Sequence, residues 1–353
     1  MSAFSDPADS PAFQQHEVAN PANAARLLAA LPEQPGILAE LKGKHILSIA
    51  HFSPDLIRAL LRQAAACEAG LAQTSSLATC KVLGGIFLDG SRHDIHLPFI
   101  RGFHCLGGHF IDLGSPAEDI LRARRDLAEI SALANSYSDI AVASTAHADL
   151  FAEILPAIRV PLINAGNGDD EAPVQALTDL YTLAKWRPAL LQRDVPAKER
   201  LRIGIFGTPG NTATLRSLLS GLALFPQMVE RVVMLDRSPN PCSPGQREAL
   251  ERAGLKLAHI TELYPNETVM GGLGRIVPEL DVIYSHLKQQ HAVSRMDMLE
   301  FKKLFNEHLL LLSPQRQLPD FSALVNNSSH NGFFTQAKSA VFILMALLGA
   351  VLA

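Results

Sequence analysis

One long helix separates two regions in which short apolar runs alternate with helical stretches. Residues 160–186 read VPLINAGNGDDEAPVQALTDLYTLAKW. They predict a short buried strand, a loop rich in Gly, Asn and Asp, and then a helix with apolar residues at three- and four-residue spacing. Pro173 suits the first helical turn, where its missing N–H costs nothing. We therefore predict an amphipathic linking helix over 173–187 that joins two domains. Its polar face would carry Thr178, Asp179, Thr182 and Lys185.

The alternation on either side of this helix predicts the fold class. Before it, we predict strands at 45–50, 82–88, 109–113, 139–144 and 160–165, with helices near 53–69, 96–106, 118–136 and 147–156. After it, we predict strands at 202–207, 231–236, 255–260, 280–285 and 308–313, with helices near 212–225, 244–253, 292–305 and 334–352. This pattern indicates an α/β protein with two doubly wound parallel-sheet domains.

Ligands of such sheets bind beyond the carboxyl ends of the strands. The cleft should therefore gather the loops near 89–94, 144–148, 166–175, 207–213, 285–290 and 313–317.

Composition narrows the class of protein. The 353 residues are 48% hydrophobic and 19% charged, enough apolar material for two cores. The net charge of −4, without a long basic run, argues against nucleic-acid binding. Four scattered cysteines are typical of reduced thiols, so we predict a cytoplasmic protein. The apolar C-terminus, 339–353, is shorter than the roughly 20 residues that a membrane span needs, and we expect a buried helix there.

Three weaker patterns were weighed. His93, His96, His104, His109 and Cys105 are too loosely spaced to supply three or four converging metal ligands, and we predict no metal site and no cofactor. Gly204, Gly207 and Gly210 with Asp236 mimic a dinucleotide fingerprint, but the spacing favours a tight strand-to-helix turn. The acidic run 169–171 either binds a cationic group or, as we favour, is a solvated loop at the start of the linking helix.

Several motifs in fixed order resemble the aspartate/ornithine carbamoyltransferase family. They are LKGKHILSI at 41–49, LGG at 106–108, SYSDIAV at 136–142, NAGNG at 164–168, and Asn331, Gly332 and Phe334. In that family the NAGxG loop is followed by H-P-x-Q, and here it is followed by Ala172, Pro173, Val174 and Gln175. The pattern is most similar to the aspartate carbamoyltransferase catalytic chain.

The resemblance implies a division of the chain. Residues 1–40 would form a loose extension, 41–172 a carbamoyl-phosphate-binding-like domain, and 188–333 an amino-acid-binding-like domain. The last helix, 334–353, would pack back on the first domain. The family's homotrimers, in which a neighbour's loop completes each site, are expected here too. The partner would be an active carbamoyltransferase or another pathway enzyme.

In the family, carbamoyl phosphate is held by an S-T-R-T-R loop, where arginine and backbone N–H groups neutralise the phosphate. The loop here reads DGSRHDIH over 89–96. An ungapped match places Asp94 at the key arginine, and a two-residue gap places Arg92 there. The remnants of this phosphate site are Arg92, His93, Asp94, His96, Ser144, Thr145 and Ala172, the last in place of the histidine.

The resemblance assigns catalytic contacts to Gln175, with Pro173 beside it, because the family's glutamine polarises the carbamoyl group. At the amino-acid site the family's arginines are replaced. The corresponding remnants are Ala213, Leu287, Lys288, Gln289, Ser313 and Pro314. The basic residues Arg122, Arg124 and Arg125 either supply the neighbour-donated loop or form a solvated helix face, and we favour the latter.

Each lost charge-assisted contact costs about 1.5–3 kcal/mol, so three lost contacts cost on the order of 5–9 kcal/mol. We therefore interpret the chain as a diverged family member that has lost or changed carbamoyl transfer and binds a partner or a small metabolite, with small anions among the candidates. One alternative is a transferase for a different substrate. The other is a working aspartate carbamoyltransferase of pyrimidine biosynthesis, with a phosphate site rebuilt from Arg92, Arg124 and Lys288.

Overall fold

The computed structural model describes residues 17–72, 74–88, 93–114, 120–236, 238–261, 279–286, 308–315 and 323–353, without the side chains of 93–95 and 120–126. The described strands form two parallel sheets. The first contains β1 (Val82–Phe87), β2 (His109–Asp112), β3 (Ile140–Thr145) and β4 (Leu162–Asn167) in the order β2-β1-β3-β4. The second contains β5 (Leu201–Phe206), β6 (Val229–Leu235), β7 (Leu257–Ile260), β8 (Val282–Ser285) and β9 (Leu310–Leu312) in the order β7-β6-β5-β8-β9. The predicted fold class is confirmed.

Helices connect and cover the strands. They are α1 (Ala22–Ala30), α2 (Pro54–Glu68), α3 (His93–Cys105), α4 (Ile120–Tyr137), α5 (Ala148–Ile154), α6 (Pro173–Trp186), α7 (Ala213–Ala223), α8 (Gln246–Arg252), α9 (Ala323–Asn326) and α10 (Phe333–Leu352). The start of α2 has the contacts that its sequence predicts. The Ser53 hydroxyl accepts a hydrogen bond from the Leu56 N–H at 3.1 Å, and Pro54 occupies the first turn.

The strand predicted at 45–50 is wrong. Only an isolated bridge between Ile46 and Ile163 forms there, followed by a short 3-10 turn at Ile49–His51. The Ser48 hydroxyl accepts a hydrogen bond from the Ala50 N–H at 3.2 Å, and this local bond turns the backbone away from the sheet. The first sheet therefore has four described strands rather than five. The helix predicted near 292–305 lies outside the described residues.

The linking helix α6 begins at Pro173 as predicted, but its polar face is not exposed. Every residue of α6 except Gln175 is buried, including Asp179, Thr182 and Lys185. The reason is that α2, α7 and α10 all pack around it. A buried polar face must find partners inside the protein, and these partners shape the site described below.

The C-terminal helix α10 packs against α2, α3 and α6, and thereby covers the first sheet's helical layer. Most of it is buried. In the described part of the chain, α10 is the one helix whose length and apolar composition would also suit a membrane span, a property that buried core helices share.

Candidate active site

A cavity of about 240 Å³ lies between the two sheets, at the carboxyl ends of β3, β4, β8 and β9. Its walls come from α3, α6, α7 and α10 and from the strand-end loops. The described lining residues include Pro98, Phe99, Ser144, Thr145, Ala172, Gln175, Ala213, Thr214, His286, Ser313, Pro314, Phe333 and Gln336. Four of the six loop regions predicted to gather at the cleft, 144–148, 166–175, 207–213 and 313–317, contribute lining residues, as does His286 from a fifth.

The NAGNG loop after β4 is held by hydrogen bonds of the Asn164 side chain. Asn164 is buried, donates to the Leu47 carbonyl at 3.0 Å and accepts from the Gly166 N–H at 2.8 Å. Gly168 has a φ of +63°, and an added Cβ would lie 2.9 Å from the Ala146 carbonyl oxygen. A glycine is therefore required for this loop to close on the end of β3. The motif shapes the rim of the cavity.

The acidic run beside the cavity joins the two halves of the protein. Glu171 accepts hydrogen bonds from the Ser48 hydroxyl at 2.9 Å and from the Ser217 hydroxyl at 2.6 Å. Asp170 forms an ion pair with Arg216 at 3.1 Å. The first residue of α6 is preceded by Ala172, which makes no side-chain cap. The predicted capping of α6 is therefore wrong, since Glu171 and Asp170 find partners elsewhere, whereas the exposure of Asp169 and Asp170 agrees with a solvated loop.

Beneath the cavity, Asp179 forms a buried polar network. Its Oδ1 accepts from Gln175 Nε2 at 2.8 Å and from Gln336 Nε2 at 2.7 Å. The Tyr284 hydroxyl approaches the same carboxylate, yet neither this hydroxyl nor Asp179 Oδ2 has a partner with good hydrogen-bond geometry among the described residues. Burial raises the pKa of Asp179 to about 7, against the lowering effect of Tyr284, Gln336 and Gln175. The network fixes both glutamine amides.

Gln336 connects this network to the second sheet. Its Oε1 accepts from the Ser313 N–H at 2.9 Å, while its Nε2 donates to Asp179. The side chain thus spans from α6 to the loop after β9. Both ends of the Gln336 amide are occupied by protein groups.

The electrostatic character of the cavity follows from its lining. Ala172 and Ala213 are buried, and Ser144 and Thr145 lie at the end of β3. Among the described lining residues there is no arginine or lysine. The buried carboxyl group of Asp179 lies beneath the cavity, bonded to the lining residues Gln175 and Gln336.

Some predicted site residues line the cavity, some lie elsewhere in the fold, and the others are outside the described residues or have undescribed side chains. The structure brings together Ser144, Thr145, Ala172, Gln175, Ala213, Ser313 and Pro314 at the cavity. Pro173 begins α6 next to it. His96 lies on α3, where its ring stacks on Phe87 with centroids 3.4 Å apart, so it is engaged by an aromatic neighbour.

Other predicted positions cannot be placed in the cavity. Arg92, Leu287, Lys288 and Gln289 lie outside the described residues, and the side chains of His93, Asp94, Arg122, Arg124 and Arg125 do too. The backbones of Arg122, Arg124 and Arg125 belong to α4, as the helix-face interpretation requires.

The residues at the cavity that the sequence did not single out include Gln336, Asp179 and Thr214. Gln336 precedes a nearly continuous apolar run, and a polar residue in such a helix signals a buried hydrogen-bond partner. The sequence pattern places Asp179 on the polar face of α6, and Asp179 is buried because α10 packs against that face. Nothing in the sequence around Thr214 distinguishes it from an ordinary helical threonine.

The competing site hypotheses receive no support from geometry. Asp236 accepts from the Thr208 hydroxyl at 2.6 Å and from the Ser238 N–H at 3.1 Å, so both its oxygens are occupied. An added Cβ on Gly207, whose φ is +134°, would lie 2.6 Å from the His286 carbonyl oxygen, so this glycine allows the end of β5 to approach the end of β8. Among the described residues, no three His, Cys, Asp or Glu side chains are grouped to hold a metal.

Two parallel sheets, a buried linking helix and a cleft at the strand ends define a two-domain α/β protein of the carbamoyltransferase fold. Residues 44–185 match the family model described as aspartate/ornithine carbamoyltransferase, carbamoyl-P binding domain. Over these residues the chain is similar to the aspartate/ornithine carbamoyltransferase family.

Individual relatives extend this similarity over most of the chain. The aspartate carbamoyltransferase catalytic subunit of Thermococcus onnurineus is 29% identical over 332 residues, which cover 89% of this chain and 98% of that protein. That of Haloquadratum walsbyi is 26% identical and covers 87% of this chain and 97% of that protein. Aspartate transcarbamoylase from Trypanosoma cruzi, in complex with N-(phosphonacetyl)-L-aspartic acid, superposes with a TM-score of 0.73 at 25% identity, over 92% of this chain and 98% of that chain.

Proposed function

We propose that this protein is a diverged subunit of the aspartate carbamoyltransferase type that no longer carries out carbamoyl transfer and instead binds a small metabolite in the cavity between its sheets. The observation that supports this proposal is the lining of the cavity, which has neither arginine nor lysine among the described residues. Carbamoyl phosphate and aspartate are both anions. A site for them must supply cations or many N–H donors.

The magnitudes favour loss of the reaction. Where the family has histidine and arginine, the described cavity has Ala172 and Ala213, both buried. Removing one donor aimed at charge in the transition state lowers the rate roughly 10²–10³-fold. Two such losses multiply, and the buried carboxyl group of Asp179 adds repulsion toward an incoming anion whenever it is ionised.

The retained motif residues have a structural explanation. Asn164 and Gly168 hold the rim of the cavity, and Pro173 starts α6. A protein without transferase activity would still need them to fold. Their presence therefore does not by itself indicate catalysis.

A second candidate is a working aspartate carbamoyltransferase in pyrimidine biosynthesis. The names of the relatives favour it, because those proteins are catalytic subunits matched over nearly their whole length. Gln175 also keeps its place in the cavity. In this candidate the cations come from Arg92, Arg124 and Lys288 or from a neighbouring subunit.

A turnover assay separates the two candidates. The full-length protein is incubated with carbamoyl phosphate and either aspartate or ornithine, and the ureido product is measured against a protein-free blank. We expect no product above the blank. Product formation that disappears on replacing Arg92, Arg124 and Lys288 with alanine, or on Gln175→Ala, would establish the working enzyme instead.

We further propose a cytoplasmic homotrimer, with an active carbamoyltransferase or another pathway enzyme as the partner. The proposal is supported by the two-domain fold shared with the T. cruzi enzyme. Mixing with an active carbamoyltransferase tests the regulatory version of the proposal. The activity of that carbamoyltransferase should change when this protein is added. An equal amount of an unrelated protein should leave the activity unchanged.

A further inference from the structure

A short segment that precedes the region matched to the family model is packed onto the protein. The matched region begins at residue 44. We call residues 17–31 the N-terminal strap; they form a 3-10 turn at Glu17–Ala19 followed by the helix α1. Val18, Leu27 and Leu31 of the strap are buried, and Leu27 is fully so. The strap is therefore part of the folded protein although it lies outside the matched region.

The strap lies across the junction of the two halves. Its helix α1 packs against α2 in the first half, against the linking helix α6, and against the turn Pro188–Leu191 that leads into the second half. Arg62 of α2 donates a hydrogen bond to the Leu31 carbonyl at 3.2 Å. The strap thus contacts both halves and the helix that joins them.

At its first residue, the strap adds polar contacts to the far end of α6 and to the second half. Glu17 Oε2 accepts a hydrogen bond from Trp186 Nε1 at 3.5 Å, and Glu17 Oε1 lies 3.5 Å from His308 Nδ1, just before β9. The Glu17 and His308 side chains are both exposed, so their pairing contributes little to stability. Burial of the apolar residues of the strap therefore supplies most of the docking energy.

Docking of the strap and formation of its helix are coupled. The helix α1 has nine residues, and a helix of that length is not stable in water without packing. Residues 32–36, which read PEQPG, connect the strap to the first half, and Gly36 takes a turn with a φ of +82°. The strap therefore has two states, one docked and helical and the other released and unfolded.

A hydrogen bond between the two halves lies at the opposite end of α6, beside the cavity. The Ala172 N–H, at the end of the first half, donates to the Ser217 hydroxyl of α7 at 2.9 Å, and this bond is buried. The 14 residues of α6 separate it from the strap by roughly 21 Å along the helix. A response of Ala172 to release of the strap therefore reports on the arrangement of the two halves rather than on a direct contact.

We propose that the N-terminal strap is a clamp that fixes the relative orientation of the two halves, and that its release lets the halves separate at the cavity. A segment that binds both halves and the linking helix stabilises the arrangement in which all three contacts are made. Release removes this restraint without changing any residue of the cavity. The proposal goes beyond the proposed function and does not depend on it, since the same clamp would act on a catalytic or a non-catalytic cavity.

Hydrogen exchange of single amides, measured by mass spectrometry on the full-length protein, tests the clamp. Leu27→Asp places a charge in the buried face of α1 and should release the strap. We expect the Ala172 amide to exchange at least about tenfold faster in this variant than in the wild type. The amides of β3, an inner strand of the first sheet, should exchange at an unchanged rate because that sheet stays folded.

Ala25→Asp is the matched control, because it introduces the same charge at an exposed position of α1. The amides of this control variant should exchange like those of the wild type. Should Leu27→Asp fail to fold, Leu27→Ala weakens the same contact more gently. The Ala172 amide should then exchange about threefold faster or more.

Two results would overturn the proposal. The first is release of the strap, seen as fast exchange throughout α1, without any change at the Ala172 amide. The second is an equal acceleration at Ala172 and in β3, which would indicate general destabilisation of the protein rather than separation of its halves.

Discussion

Asp179 is the residue on which the cavity depends most. Its Oδ1 receives two glutamine amides, and the carboxyl group is fully buried on α6. A buried carboxyl group prefers its protonated form, and burial accordingly raises the pKa of Asp179 to about 7. The native state therefore binds this proton more tightly than the unfolded chain, in which the aspartate has an ordinary pKa near 3.8.

This difference predicts how Asp179→Asn changes stability with pH. The contribution of Asp179 to stability is greatest below about pH 4, falls as the pH rises toward about 7, and is constant above that value. The asparagine variant lacks this decline. We expect the difference in the free energy of unfolding, variant minus wild type, to increase by a few kcal/mol between about pH 4 and pH 7. The expected size follows from about 1.4 kcal/mol per pKa unit. Urea unfolding at a series of pH values measures the difference.

Asp139 provides a control with the opposite sign. Burial acts to raise the pKa of Asp139, but hydrogen bonds from Lys81 and the Val82 N–H lower it overall. Its contribution to stability is therefore present at neutral pH and lost as the pH falls below its ordinary value. The free energy of unfolding of Asp139→Asn should therefore decrease relative to that of the wild type as the pH rises. A parallel trend for the two variants would mean that Asp179 does not titrate as described.

At the scale of whole elements, a buried ion pair joins α2 and α6. Lys185 Nζ lies 3.0 Å from Glu68 Oε2, and the two side chains are 3% and 10% exposed. The Tyr181 hydroxyl donates to the same Glu68 oxygen at 2.6 Å, and Lys338 from α10 reaches Glu68 Oε1 at 3.8 Å. The polar face of α6 is thus stabilised by Glu68 of α2, which also pairs with Lys338 of α10.

Removing one partner of this pair should be costly. Lys185→Met leaves Glu68 buried and short of one cation, and we expect a loss of about 3–5 kcal/mol in the free energy of unfolding. The double variant Lys185→Met/Glu68→Gln should recover much of that loss, because no buried unpaired charge remains and the Lys338 side chain is 64% exposed. Chemical unfolding of the single and double variants measures both effects.

The exposed pair Arg247–Glu251, at 3.0 Å with side chains 43% and 45% exposed, is the matched control. Arg247→Met should cost less than about 1 kcal/mol, since exposed ion pairs contribute little. A cost for Lys185→Met no larger than this one would show that the buried pair does not stabilise the α2–α6 contact.

At the scale of the whole molecule, the fold was predictable because it depends on local patterns. Short apolar runs such as β3 and capped helices such as α2 carry their own signals over a few residues. Parallel sheets then place the cavity at the strand ends without further information. The strand predicted at 45–50 failed where a single hydroxyl, that of Ser48, turned the chain.

The buried network could not be predicted from the same patterns. Asp179 and Lys185 look like exposed residues of an amphipathic helix until α10, which starts more than 140 residues later, is packed against them. Gln336 reaches Asp179 across that separation at 2.7 Å. Long-range packing, rather than local preference, determines which polar residues are buried.

We propose that the cavity no longer binds the family's anionic substrates. Calorimetric titration of the full-length protein with carbamoyl phosphate, with and without aspartate, measures this. We expect no heat of binding at millimolar ligand from protein that is folded by circular dichroism. Micromolar binding of carbamoyl phosphate that strengthens the affinity for aspartate would show that the anion site is intact and that the proposed loss is wrong.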